Sequence, residues 1–466
     1  MTRPSAWVND GNAALLTDLY ELTMVQAYWH EGMDGDAVFS LYFRTLPPGR
    51  SYALACGLED ALRFLENLQF SQEALAYLAD QGQFTAEFLD WLGTMRFDGD
   101  VFALPEGTPV FPEEPLLEVV APVPVAQLAE SFIMNQVHLQ TVLASKASRV
   151  VQAAEGRAVI DFGLRRMHGT DAAMKGARAY HVAGLAATSN VLAGQVYGVP
   201  ITGTMAHSYI QSHDDEAEAF RSFTELYPET VLLVDTYDTL EGVHKVVELA
   251  RELGDRFQVR GIRLDSGDVG ELAKQSRKIL DAAGLGEVRI FASGGLDEYG
   301  VAELVAAGAP IDGFGVGTHM GTSRDAPSLD MVYKLTTYAG EGRLKLSPGK
   351  RILPGRKQAW RIEEEGVAVR DVIARADGTE DFSPQGGRPL LQQVMSGGRR
   401  TGADGGADPR AVLDRARDTA RAELARLPER VRSLEDADPP YPVEVSEGLA
   451  RLRHDVIERL EEVPSV

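Results

Sequence analysis

Between about residues 155 and 320 the chain repeats one pattern of apolar and polar positions. A short β-branched run ends in a polar or glycine-rich tip, and a stretch with apolar residues at helical spacing follows. Six such runs stand out: "AVIDFGLRR" from 158, "PITGTMAHS" from 200, "TVLLVDTYD" from 230, "VRGIRLDSGD" from 259, "VRIFASGG" from 288 and "IDGFGVGT" from 311. Stretches such as "LEGVHKVVELAREL" and "VGELAKQSRKILDAAG" fill the intervals. The alternation predicts successive βα units on a parallel sheet, either closing as a (β/α) barrel or left open as a doubly wound sheet. In both arrangements a ligand sits at the carboxyl ends of the strands, so the tips "LRR", "TMAHS", "DTYD", "RLDSGD", "ASGG" and "GVGT" are expected to share one mouth.

The pattern differs on either side. Residues 1–150 open with the helical "LLTDLYELTMVQAYWHEG" and continue through "AVFSLYFRTLPPGR" into the proline-rich, strand-like "VFALPEGTPVFPEEPLLEVVAPVPV", which predicts an N-terminal α/β domain. Residues 151–339 then form the barrel. The strand-like "GRLKLS" and "QAWRIEEEG" are expected to return to the first layer, so that about 340–395 complete it. From 396, "SGGRRTGADGGADPR" has a linker's composition, and "AVLDRARDTARAELARL" with a last helix near 446–461 makes 396–466 a helical C-terminal extension.

Composition narrows the function. With 466 residues and 44% apolar content the chain can bury a sizeable core, but no apolar run reaches the roughly 18–20 residues of a membrane span. "MTRPSAWVNDGNAALL" lacks the pattern of a signal peptide, and the single cysteine, Cys56, fits a reducing compartment, so a cytoplasmic location is expected. A formal charge of −23 argues against nucleic acid or an anionic membrane as partner. Any anion must therefore be met by local basic residues. Arg165 and Arg166 leave the first run, and Arg263 stands two residues before Asp265. Guanidinium forks suit phosphate, while Asp235 and Asp238 could serve ribose hydroxyls or a bridging Mg²⁺; a structural ion pair is the plainer reading of an arginine beside a carboxylate.

Two glycine-rich tips, Ser293-Gly294-Gly295 and Gly315-Val316-Gly317-Thr318, close the series. Glycines before a helix let backbone N–H groups approach an anion, and the last two loops of a barrel commonly hold a phosphate; tight turns are the alternative. No Walker or dinucleotide fingerprint is present. In "GTMAHSYIQSHDDE", six helical residues turn the chain about 600°, which separates His207 from His213 and argues against a metal pair. Ser212 with Asp215 resembles a capping box, which places His213 on the surface. His207, at a strand's tip, is positioned to act as base or nucleophile.

Taken together, "LLTDLYELTM", "DFGLRR", "SNVLAGQVYGVPITGTMAHS", "RLDSGD", "GVGT" and "LPGRKQ" resemble the nicotinate phosphoribosyltransferases, in an order and spacing that cover most of residues 12–360. The resemblance implies an irregular α/β barrel of the type II phosphoribosyltransferases with an N-terminal α/β domain, working as a homodimer with active sites at the subunit interface. It implies joining nicotinate to phosphoribosyl pyrophosphate, with Mg²⁺ present and ATP as co-substrate, for NAD salvage. The histidine matching His207 is transiently phosphorylated in that family. Carried over position by position, Tyr20 resembles a nicotinate contact from the neighbouring subunit, Phe162 the ring that stacks on the pyridine in the related nicotinamide enzymes, and Thr204 a further nicotinate contact. Arg263 and Thr318 match phosphoribosyl pyrophosphate contacts, with Arg165, Asp235, Asp265, Gly294, Gly295 and Gly317 as neighbours and Arg44 reaching in from the other chain. Asn190, or Ser189 if the alignment slips by one, stands where the nicotinamide enzymes carry an aspartate, and would favour acid over amide. Rival readings are a quinolinate or nicotinamide phosphoribosyltransferase, or a silent homologue that binds mononucleotides. Lys345, Lys350, Arg356 and Lys357 form a basic patch able to meet pyrophosphate or ATP, or an exposed hairpin.

Overall fold

The β-branched runs form strands where their apolar side chains can be covered. The computed structural model describes residues 7–346, 352–402 and 408–462. It divides into two units, Leu143–Pro327 and a second made of Met1–Val142 with Ser328–Val466.

In the first of these, six strands pair in parallel: β1 (Ala158–Asp161), β2 (Ala187–Thr188), β3 (Val231–Leu233), β4 (Gly261–Leu264), β5 (Arg289–Ala292) and β6 (Gly313–Val316). Their order across the sheet is β2-β1-β6-β5-β4-β3. This is the chain order taken cyclically with one break, between β2 and β3. A doubly wound sheet would reverse direction at a switch point; this order is that of barrel staves with one seam open, a parallel half-barrel. Ile262, Leu264, Ile290, Ala292, Phe314 and Val316 are fully buried. They alternate along β4, β5 and β6 with residues of the other face, as period-2 geometry requires.

The run from 200 departs from expectation. It contributes a single parallel bridge, Ile201 to Thr188. Hydrogen bonds from Thr188 N–H to the Pro200 carbonyl and from Thr202 N–H to the Thr188 carbonyl flank it. Pro200 has no N–H to give a ladder, and the second strand lies instead in "AATSN" at 187–188.

The other unit is built on the strand Asp36–Phe43, antiparallel to both Leu117–Pro122 and Met331–Tyr338. Asp100–Ala103, Gln392–Ser396 and Arg399–Arg400 extend that sheet at one end and Glu341–Gly342 at the other, making seven strands. "QAWRIEEEG" does not join it. Lys357–Glu364 pairs with Val367–Arg375 in a separate four-stranded sheet, completed by Gly387–Pro389 and Val443–Val445.

The segment after 396 is likewise more than a linker with appended helices. Arg399–Arg400 pairs with Gln392–Ser396, and Arg400 binds Glu59 and Glu66 on the helix Leu58–Glu66. Glu423, on the helix Pro409–Arg426, reaches the fully buried Arg361, which forks onto Asp371 at 3.0 and 2.7 Å. Tyr441 donates its hydroxyl to Asp371 and stacks on Phe111 with centroids 4.0 Å apart. A buried guanidinium is tolerable only when its charge and donors are met, so the tail is part of this unit's interior. Among the described residues no helix is long and apolar enough to cross a membrane.

Candidate active site

The candidate site assembles at the carboxyl ends of β1, β3, β4, β5 and β6. Arg263 points from β4 and donates to the Met205 carbonyl at 3.1 Å. Its Nε is buried without a partner. Burial, aided by the like charge of Arg165, lowers the guanidinium's pKa, while Asp265 and Asp235 oppose the shift. An arginine stays charged even so, and an unspent buried donor is suited to an incoming anion.

Asp265 follows β4 directly. Its backbone N–H donates to Asp235 Oδ2 at 2.9 Å, and Ser266 donates its hydroxyl to the same oxygen at 2.6 Å. The Ser293 hydroxyl, at the end of β5, donates to Asp265 Oδ1. The second carboxylate oxygen of Asp265 lies 3.8 Å from His207 Nε2, while His207 Nδ1 is 3.1 Å from the Thr236 hydroxyl. Three successive strand tips thus flank one imidazole on two sides. His207 is itself the first residue of a short helix, His207–Gln211.

The concave face is shaped by glycine. A Cβ on Gly315 would sit 2.4 Å from the Phe162 ring, and one on Gly313 or Gly261 would press on Phe291 at 3.0 and 2.9 Å. Glycine at these strand positions lets two aromatic rings lie against the sheet. Arg263 Cζ stands 5.7 Å from the Phe162 centroid, so the predicted stacking ring and the predicted phosphate-binding arginine face one another. Phe162 N–H donates to the Val316 carbonyl, which places it beside Gly317 and Thr318. At the neighbouring tip Gly294 adopts φ +89°, and a Cβ there would lie 1.8 Å from the Asp265 carbonyl oxygen. Gly295, at φ +66°, faces open space.

The structure therefore brings together Phe162, His207, Asp235, Arg263, Asp265, Gly294, Gly295, Gly317 and Thr318. Arg165 is exposed on the turn Leu164–Arg166, close enough to Arg263 to be felt electrostatically. Thr204 is half-buried and lines a cavity of about 760 Å³ with Phe223, Tyr227 and Gln258. Asp238 is spent as the N-cap of the helix Thr239–Leu253.

Asn190 is placed otherwise than expected. It is 3% exposed, its Oδ1 accepts from Ala193 N–H as a helix cap, and its Nδ2 donates to the Ala173 carbonyl at 3.3 Å. Both ends of the amide are used inside the fold. Ser189 stands half-buried beside it, its N–H on the Asp161 carbonyl. The expected capping box at Ser212 is also replaced: Asp215 caps the helix Glu216–Leu226 itself, and Ser212 donates to the Tyr209 carbonyl. His213 is half-buried, its Nδ1 2.9 Å from the Tyr209 carbonyl oxygen.

Tyr20 and Arg44 belong to the other unit. Tyr20 is half-exposed, and partial burial together with Glu130, to which its hydroxyl is hydrogen-bonded, raises its phenol pKa. Arg44 pairs with Asp330 at 3.1 Å, and its Nε is buried without a partner. The basic patch does not survive as such. Lys350 lies outside the described residues, and Lys357 is buried against Glu118, with burial lowering its pKa. Arg356 covers the Phe102 ring at 4.1 Å, leaving Lys345 as its exposed member.

Sequence reasoning passed over Thr236, Ser266, Phe291 and Asp161. The last is 1% exposed, with its carboxylate on the Thr188 hydroxyl and Gly163 N–H, and its pKa raised by burial. The glycines at 313 and 315, two apart in "GFGVGT", were the one local signal that a ring approaches β6. Among the described residues no group of three or more His, Cys, Asp or Glu is placed to hold a metal ion. Asp235 Oδ1, however, is a buried acceptor without a partner. One orphaned carboxylate oxygen fits Mg²⁺ that takes most of its ligands from phosphates and water.

Residues 15–138 match the nicotinate phosphoribosyltransferase N-terminal domain, and residues 158–352 match the nicotinate phosphoribosyltransferase family. Over 445 residues the chain is 56% identical to the nicotinate phosphoribosyltransferase pncB2 of Mycobacterium tuberculosis, covering 95% of this chain and 94% of that one. The chain belongs to the nicotinate phosphoribosyltransferase family. A Bacillus subtilis nicotinate phosphoribosyltransferase is 42% identical over 361 residues, 76% of this chain and 74% of its own. The human nicotinic acid phosphoribosyltransferase structure superposes with a TM-score of 0.83 at 28% identity, covering 95% of this chain and 100% of that chain.

Proposed function

We propose that this member of the nicotinate phosphoribosyltransferase family joins nicotinate to phosphoribosyl pyrophosphate in the cytoplasm, yielding nicotinate mononucleotide and pyrophosphate for NAD salvage. The observation that carries the reading is the meeting of Phe162, Arg263, Asp265, His207 and both glycine turns at one end of the parallel sheet. The Phe162 ring fixes the plane of the pyridine, so that its nitrogen is presented to the anomeric carbon of the ribose. The glycine turns hold the 5′-phosphate through backbone N–H groups. As pyrophosphate departs, positive charge develops on the ribose and negative charge on the leaving group; Arg263, with an unspent Nε, stabilises the latter. When bound, Mg²⁺ supplies further charge neutralisation to the pyrophosphate, with Asp235 the residue that would hold it.

His207 accepts a phosphoryl group from ATP, releasing ADP, and later yields phosphate to water. The added charge of roughly −2 beside Asp265 couples ATP hydrolysis to the state of the phosphate site. The Thr236 hydroxyl holds Nδ1 at 3.1 Å and so orients the ring, while Nε2, 3.8 Å from Asp265, makes no hydrogen bond to it and is left to act as the nucleophile. A homodimer completes the site with Tyr20 and Arg44 of the partner. Two assays test the reading. Turnover with nicotinate, phosphoribosyl pyrophosphate and Mg²⁺ must be seen, and γ-labelled ATP must leave acid-labile phosphate on wild type but not on His207→Ala. No nicotinate mononucleotide would overturn the reaction; label persisting in the variant would move the nucleophile.

A further inference from the structure

Behind the two glycine turns lies a group of buried charges that the reaction does not touch. Lys146 and Arg149, one turn apart on the helix Glu130–Ala153, are each 2% exposed. Lys146 Nζ donates to Glu298 and, at 2.6 Å, to Asp325 Oδ1. Arg149 donates from Nε to the other oxygen of Glu298 at 3.0 Å and from Nη2 to the Tyr299 hydroxyl at 3.1 Å. The two carboxylates come from different places with one thing in common. Glu298, fully buried, opens the helix Glu298–Ala306 three residues after Gly295. Asp325 follows the short helix Thr318–Gly321, which begins directly after Gly317. One ammonium therefore bridges the two segments that leave the two glycine turns. A second tie joins the same segments: Asp297 caps the helix at 298 with Oδ1 and turns Oδ2 toward His319 Nδ1 at 3.8 Å.

We infer that Lys146, through Glu298 and Asp325, is a positioning residue that sets the spacing between the two turns gripping the phosphoribosyl phosphate. The inference rests on the proposed role of those turns. Backbone N–H donors from two separate loops can converge on one phosphate only if the loops keep their distance, and a phosphate site widened by a fraction of an ångström loses donors rather than bending them. A solvent-exposed ion pair would be too soft for this. A buried lysine shared by two carboxylates is shielded from water on its Glu298 side, and removing the ammonium leaves the fully buried Glu298 with one of its two cationic partners gone.

The test separates substrate from substrate. Asp325, whose side chain is 37% exposed, can be neutralised without stranding a fully buried carboxylate. Asp325→Asn is expected to raise the KM for phosphoribosyl pyrophosphate about fivefold, with the nicotinate KM and kcat within about twofold, and to shrink the rise in Tm that phosphoribosyl pyrophosphate produces. Asp325→Glu, which retains the charge, should recover most of the loss. Lys146→Met should show a larger effect of the same kind; if it fails to fold, the two Asp325 variants decide. Equal changes in both KM values, or none in a normally folded Asp325→Asn, would overturn the inference. Thr318→Ala separates the premise from the inference. If it raises the phosphoribosyl pyrophosphate KM while Asp325→Asn does not, the turns bind phosphate and only the bridge is wrong. If Thr318→Ala also leaves that KM unmoved, the turns do not hold this substrate and the bridge falls with them.

Discussion

Gly294→Ala is the substitution whose consequence can be worked most directly from the geometry. Its Cβ would lie 1.8 Å from the Asp265 carbonyl oxygen, where real Cβ contacts stay above 3.0 Å, so the β5 turn and the β4 tip must separate by at least 3.0 − 1.8 = 1.2 Å. Asp265 cannot follow freely, because its N–H is held by Asp235 and its carboxylate by Ser293. Misplacing reacting groups by about 1 Å costs about 10²-fold in rate, equivalent to about 2.7 kcal/mol in the barrier. The left-handed backbone adds a stability loss of about 1–2 kcal/mol for any residue with a Cβ. Gly295→Ala separates the two effects, since Gly295 shares the left-handed conformation but a methyl group there would meet no atom within 4 Å. Both variants should lose stability in thermal denaturation, Gly294→Ala more than Gly295→Ala because its methyl group also clashes with the Asp265 carbonyl. Only Gly294→Ala should lose about 10²-fold in kcat/KM for phosphoribosyl pyrophosphate, followed as nicotinate mononucleotide formed. Equal kinetic losses in the two variants would show that strain, not displacement of Asp265, governs the site, and the reasoning would be refuted.

Three further outcomes are expected. Asn190→Asp keeps the helix cap but replaces a donor to the Ala173 carbonyl by a buried carboxylate oxygen; a loss of about 2–3 kcal/mol in denaturant unfolding is expected, and undiminished stability would contradict the Nδ2 donation to Ala173. Glu21, fully buried, has its pKa pushed up from 4.5 to about 7 by burial, with Glu130 and Asp18 adding and Ser131 and Thr17 opposing. The folded state then holds this proton more tightly than the unfolded chain, so stability falls as pH rises from about 4.5 to 7, by at most about 3 kcal/mol, and Glu21→Gln should flatten denaturation midpoints between pH 5 and 8. Removing residues 409–466 strips Glu423 and Tyr441 from Arg361 and Asp371. That chain should fail to fold, and a truncated protein with the full-length Tm would show the tail to be dispensable.

Much of the candidate site was legible in the sequence because βα units gather polar residues at the ends of apolar runs. Each strand ends where its apolar run ends, and Arg263, Asp265, Asp235 and the two glycine turns could each be read from a few consecutive residues. Thr236 and Ser266 escaped because nothing local distinguishes them. They matter only because neighbouring strand tips bring His207 and Asp235 to them. Asn190 was read for its chemistry, but a polar side chain beginning a helix has backbone N–H groups within reach before any substrate does.

What the chain order alone determined was the periodicity: alternating βα units, the polar tips at their ends, the absence of a long apolar span, and the residue types at hand for anion binding. The tertiary structure decided which residues are neighbours. It showed the sheet running in cyclic order with one seam, the strand at 187–188 in place of the run from 200, and "QAWRIEEEG" in a separate sheet. It also drew the segment after 396 into the interior around Arg361. The physical reason is range. Hydrophobic period and turn chemistry act over a few residues and are written in consecutive letters. The pairing of a buried charge is settled between groups as distant as Arg361 and Glu423, where burial makes an unmatched partner costly and composition gives no sign of which one will come.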